Sequence, residues 1–237
     1  VEAFEQAISL DPANSEVFRF LGELYAGRGL GLKAQEAFTK AIQLDPTHVE
    51  AYYQLARILW RQDKREEALA VYQQAVRVKA PNSQQAEEIG DTLRGMKQWQ
   101  EAAEYLRSAL VQEGSERPAL LLGLGEVYQE LQRVDDAQRL LSHAMARYPN
   151  DMVFPIRLAQ IAAEQGRQTE ARQLFEQVLK KSSRISEAYF GLGQIAFEQG
   201  DFKQARRLLM TGLRYDPYNQ KALETLQAIQ GKTTHHG

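Results

Sequence analysis

The sequence contains no cysteine. That excludes a disulfide framework, a thiolate zinc site and a cysteine nucleophile. Histidine is scarce, four residues in 237. His48 falls in a turn, His143 on a helix, and His235 and His236 in the C-terminal tail. None has a plausible metal ligand or nucleophile at useful spacing, so no catalytic or metal-ligating residue is assigned. Neither sign of charge is in excess. The 29 Lys and Arg against 31 Asp and Glu leave a formal net charge of -2. This argues against a general polyanion binder, which displaces counterions with a positive surface. No apolar run reaches the roughly 18 to 20 residues that span a bilayer. The chain opens Val1-Glu2-Ala3-Phe4 with no signal-peptide pattern, and reads as beginning inside something longer. The lack of cysteine leaves cytoplasm and periplasm equally open. Hydrophobic residues at 43% and charged residues at 25% fit a folded, soluble chain rather than a disordered one.

What the sequence does have is a period. Ala34, Ala68 and Ala102 are 34 residues apart; a step of 35 leads to Ala137, and steps of 34 to Ala171 and Ala205. With these alanines at position 20, six repeats cover 13–48, 49–82, 83–117, 118–151, 152–185 and 186–219. Position 1 of the first is Ser15, and Arg117 is the inserted residue. Position 7 is Leu21, Leu55, Ile89, Leu124, Leu158 and Leu192. Position 8 is always small: Gly22, Ala56, Gly90, Gly125, Ala159 and Gly193. Position 24 is always large: Phe38, Tyr72, Leu106, Leu141, Phe175 and Leu209. Positions 4, 7, 8 and 11 share one helical face, and 20, 24 and 27 share another. Gly29, Gly166 and Gly200 at position 15 mark a turn between them. Each repeat therefore reads as helix A, turn, helix B. A small residue at 8 and 20 lets two backbones approach, and the large residue at 24 fills the space beside them. One pair cannot bury its faces alone, so the repeats must stack.

This pattern resembles the tetratricopeptide repeat (TPR) family. The first full repeat carries Phe18, Leu21-Gly22, Tyr25, Ala34, Phe38, Ala41 and Pro46, the complete family pattern. The departures are Ala80, Gly114 and Ser183 in place of the last proline, and Ala86 and Pro155 at position 4. The resemblance implies an all-α fold, a right-handed superhelical solenoid of TPR helix-turn-helix repeats. Residues 1–12 match the second helix of a truncated repeat through Phe4 and Ala7, leaving an apolar N-terminal edge. Upstream repeats, a covering contact or self-association through that edge would each bury it. Residues 220–231 are expected to form a capping helix and 232–237 a flexible tail.

The resemblance also implies that the A helices line a concave groove at positions 2, 5, 6, 9, 12 and 13. Two patches stand in those columns. The first is Tyr53, Arg57, Trp60 and Arg61, flanked by Arg19 and Glu23 before it and by Asp91 and Arg94 after it. Tyr, Trp and Arg are common interface anchors. Trp60 either faces the groove or packs on a neighbouring helix. The second is Leu122, Ile156, Phe190 and Phe197, rimmed by Glu126, Gln160 and Gln194. It forms an apolar row where water is expected, unless position 5 is half-buried between helices. Gly123 and Gly191 would make room beside it.

Eleven acids in these columns (Glu16, Glu23, Glu50, Glu87, Glu88, Asp91, Glu126, Glu130, Glu164, Glu187 and Glu198) against five arginines (Arg19, Arg57, Arg61, Arg94 and Arg157) give the groove a charge of -6. The partner expected is a protein or peptide segment, apolar with a basic tendency. Nucleic acid, a cofactor and a membrane span are not expected. Chaperone-type TPR domains hold a C-terminal carboxylate with Lys and Asn at positions 5 and 9. Here those pairs are Arg19/Glu23, Tyr53/Arg57 and Glu87/Asp91, so an Hsp70 or Hsp90 tail is not expected either. The function expected is that of a non-enzymatic protein-interaction scaffold. The alternative is the non-catalytic TPR portion of a larger enzyme, or of a secretion or polysaccharide-export protein.

Overall fold

The computed structural model describes residues 10–111 and 116–234. The helix expected over 1–12 lies almost wholly outside the described residues, and so do His235 and His236. Among the described residues there are thirteen helices and no strand. They fall into two compact bodies, Val1–Leu131 and Gln132–Gly237.

The first body carries α1 (Ser15–Gly27), α2 (Gly31–Leu44), α3 (Val49–Arg61), α4 (Arg65–Val78), α5 (Ser83–Gly95), α6 (Trp99–Val111) and α7 (Pro118–Glu130). The second carries α8 (Val134–Arg147), α9 (Val153–Glu164), α10 (Gln168–Lys181), α11 (Ser186–Glu198), α12 (Phe202–Leu213) and α13 (Gln220–Thr234). The starts follow from local chemistry. The Asn14 side chain accepts from the Val17 N–H at 3.3 Å, and Asp201 from the Gln204 N–H at 2.9 Å. Asn82 and Gln85 form a reciprocal capping box. Pro118 sits in the first turn, where its missing N–H costs no bond. The last helix runs to Thr234, past the end expected at 231. Gly231 is the one poor helix former there, and a single glycine near a helix end does not break it.

The turns between A and B helices repeat one backbone shape. Gly29, Gly166 and Gly200 have φ between 73° and 78°. The other three repeats put Asp63, Lys97 and Gln132 at the same position, with φ of 59° to 60°. Every repeat therefore bends through the left-handed region at position 15, with or without glycine.

The core is built on the expected columns. All six alanines at position 20 are 0% exposed, and no residue at position 24 exceeds 3%. Small opposes large directly. A Cβ added at Gly22 would come within 2.6 Å of Phe38, one at Gly90 within 2.6 Å of Leu106, and one at Gly193 within 2.8 Å of Leu209. Such distances are shorter than van der Waals contact, so the glycine is what admits the large partner. Gly191 plays the same part for Phe175, which comes from the preceding repeat.

Candidate functional site

In the first body three arginines of the groove columns, Arg19, Arg57 and Arg94, are already partnered, while Arg61 is exposed. Arg57 on α3 donates to both Glu88 carboxylate oxygens on α5, at 2.7 and 3.0 Å. Arg94 on α5 donates to Glu126 on α7 at 2.5 Å and to Asp91 at 3.2 Å. Arg117 pairs with Glu87, and Arg19 with Glu16 and Glu23. Burial holds Glu87 and Asp91 above the usual carboxylate range, although Arg117 and Arg94 pull the other way. The forked Arg57–Glu88 pair and the Arg94–Glu126 pair each tie one repeat to the next. They set the arginines of the column count beside particular carboxylates, and Arg117, outside the columns, adds one positive charge that the count leaves out.

The first patch does not present the surface expected of it. Tyr53 is 0% exposed, with its ring centroid 5.5 Å from that of Tyr72. A tyrosine at position 5 here fits beneath the groove surface, beside the tyrosine at position 24. Its hydroxyl is buried without a hydrogen-bond partner. Trp60 takes the packed alternative. It is half-buried, and a Cβ on Gly95 would lie 2.7 Å from its ring. Arg19 stacks on Phe20, 3.8 Å above the ring.

Burial, and next the charge on Glu88, push the Tyr53 phenol up to about 12. The free phenol titrates near 10. The neutral form is therefore favoured by folding. The associated stability is complete below about pH 10 and is lost as pH rises through about 12. Tyr53→Phe is expected to stabilise the fold by about 1 kcal/mol at neutral pH, because it removes an unpartnered buried hydroxyl. It should also soften the loss of stability above pH 10. Thermal melts at pH 7 and pH 11 check both. Burial also raises the phenol of Tyr72, so part of the alkaline sensitivity will remain. A lower melting temperature for Tyr53→Phe at pH 7 would mean that the hydroxyl has a partner.

The second patch divides. Leu122 is half-buried on α7 and Glu126 is exposed beside it. Gly123 lies next to the Asp91 and Arg94 side chains. Ile156 is only 8% exposed and joins the core with Ala159, Phe175 and Leu192, so the half-buried reading of position 5 holds there. Phe197 turns from the row and packs on Phe202, with centroids 5.7 Å apart. Phe190, Gln160 and Gln194 do come together. They line a cleft of about 340 Å³ among α9, α11 and α13. Gly191 does not widen this cleft, because the Phe175 ring occupies the room it leaves.

The floor of the cleft is apolar: Phe190, Phe175, Ile195, Leu209 and Ala222. Its polar lining includes Glu164, Glu187 and Glu198, with Asn219, Lys221 and Thr225. None of the three glutamates is in an ion pair among the described residues. Glu198 accepts only from amides, Gln194 at 2.9 Å and Gln168 at 3.1 Å. Free negative charge thus gathers here rather than along all the groove columns. Glu164, Glu187 and Glu198 entered the charge count but not the candidate site. Lys221 and Thr225 were missed, although they continue columns 2 and 6 into the capping helix. Among the described residues no group of three His, Asp or Glu side chains is placed to hold a metal ion, and no helix is long and apolar enough to cross a membrane.

The tetratricopeptide repeat family model matches residues 29–87, 93–154 and 162–229. No curated protein matches the chain. Several solved structures share the fold. PilF of Pseudomonas aeruginosa is 19% identical, with 94% of this chain and 98% of that one covered and a TM-score of 0.66. The C-terminal part of a TPR repeat-containing protein from Cytophaga hutchinsonii is 17% identical, with 95% and 92% covered and a TM-score of 0.76. YrrB, described as a TPR protein with an unusual peptide-binding site, is 18% identical, with 95% and 98% covered and a TM-score of 0.51. At these identities the likeness is one of fold. Repeat period, size-matched columns and family model agree: the chain belongs to the tetratricopeptide repeat family.

Proposed function

We propose that this chain is a non-catalytic interaction scaffold, and that the cleft among α9, α11 and α13 captures a polypeptide segment that is apolar with basic flanks. One observation carries the reading. An apolar floor is bordered by three carboxylates that no arginine neutralises, whereas the groove acids around Arg57, Arg94 and Arg117 are paired. Phe190 supplies the apolar contact. Glu164, Glu187 and Glu198 supply the attraction for lysine or arginine, and complementary charge of this kind sets partner choice and on-rate. The Gln160 and Gln194 amides can meet the backbone groups of an extended segment. YrrB shares the fold and is described as having a peptide-binding site; a peptide is the occupant this reading gives the cleft.

The test is fluorescence anisotropy with a labelled peptide alternating leucine and arginine. The triple variant Glu164→Gln, Glu187→Gln, Glu198→Gln should bind at least tenfold more weakly, with its helicity intact. The affinity of the unmodified chain should fall as salt is added. Equal affinity for the two proteins, or binding that strengthens with salt, would reject the cleft as the capture site.

A further inference from the structure

A second cleft, of about 320 Å³, lies between α12 and α13 and shares no lining residue with the first. Arg206, Met210 and Leu213 on α12 and Arg214 at its C-terminal cap line it, with Leu226 and Gln230 on α13. Three features single it out. Met210 is 53% exposed. The corresponding residues of the other five repeats are Thr39, Gln73, Arg107, Ser142 and Glu176, all polar. An exposed methionine is therefore peculiar to this place. Next, Arg206 and Arg214 bracket it. Neither is in an ion pair among the described residues, and no acidic side chain lines the cleft. Last, the cleft is a furrow between two helices.

We propose that this furrow docks an acidic amphipathic helix of a partner protein. A helix fills a furrow between two helices by the same side-chain interdigitation that packs them within a core. Arg206 and Arg214 are eight residues apart, about 12 Å along the axis. Carboxylates seven or eight positions apart on the incoming helix span the same distance and can each take a guanidinium fork. A large apolar residue midway between them lands on Met210, whose unbranched thioether adapts to its shape. Leu213 and Leu226 form the half-buried floor. An anionic membrane fits this surface less well, because interfacial helices present a broad apolar face and here the leucines lie recessed.

The test uses the full chain and a labelled alanine-rich helical peptide carrying two glutamates seven positions apart, with leucines midway on the same face. A second peptide has lysine at the glutamate positions. Vesicles of phosphatidylcholine with phosphatidylserine form the third arm. The unmodified chain should bind the glutamate peptide at least tenfold better than the lysine peptide. Arg206→Glu with Arg214→Glu should reverse that preference at unchanged helicity. The variant lacking Glu164, Glu187 and Glu198 should bind the glutamate peptide normally, which separates this surface from the first cleft. Glutamate-peptide binding that ignores the arginine reversal overturns the proposal. So does arginine-dependent binding to vesicles without binding to the peptide.

Discussion

Phe175→Ala is expected to cost the second body about 3–5 kcal/mol. The ring is 1% exposed and packs with Ala171, Val178, Leu192 and Ile195. It also fills the space that Gly191 leaves on α11, so it joins one repeat to the next. Truncation would remove the apolar contact and leave a hole that two helix backbones cannot close. Most single domains are stable by only about 5–15 kcal/mol. The variant should therefore be largely unfolded well below the melting temperature of the unmodified chain. Urea titration followed by far-UV circular dichroism measures the cost. A loss under about 1 kcal/mol would mean that the ring is not the joint described.

Gly191→Ala should have the second largest effect, and its sign is the informative part. On an ordinary helix, glycine to alanine stabilises by roughly 0.5–1 kcal/mol. At Gly191 the added methyl would fall onto the Phe175 ring, which is itself fully enclosed. Overpacking of this kind costs about 1–3 kcal/mol. Gly27 provides the control: it lies on α1 with nothing within 4 Å of an added Cβ. Gly27→Ala should stabilise where Gly191→Ala destabilises. Combining Gly191→Ala with Phe175→Leu should cost less than the two changes summed, since the smaller side chain gives the methyl room. Additive costs would show that the two residues do not touch.

The repeats were legible because their defining columns are buried on every pass. An alanine that must lie against a neighbouring backbone tolerates nothing larger, so position 20 never varies. The groove columns were legible for the same geometric reason. Ten of the fifteen residues lining the first cleft stand at positions 2, 5, 6, 9, 12 or 13, counting the capping helix as a seventh A helix. What the columns could not supply is depth and pairing. Tyr53, Ile156 and Phe190 all sit at position 5, yet Tyr53 and Ile156 are buried while Phe190 is only half-buried. Which one reaches the surface depends on the side chains of the adjoining repeats. Charge counting had the same weakness. It set Arg57 and Arg94 against the acids as a sum without placing them beside Glu88, Asp91 and Glu126, and it left out Arg117, the partner of Glu87, which lies outside the columns.

The left-handed residue at position 15 says something about cause and effect. Glycine reaches that conformation without strain, whereas a side-chain-bearing residue gives up about 1 kcal/mol to hold it. Lys97 and Gln132 hold it all the same, at the same angle as Asp63. The hairpin is thus closed by what its two arms bury, and its tip conforms. Such tips can accept new residues freely in evolution, while the alanines a few positions away cannot.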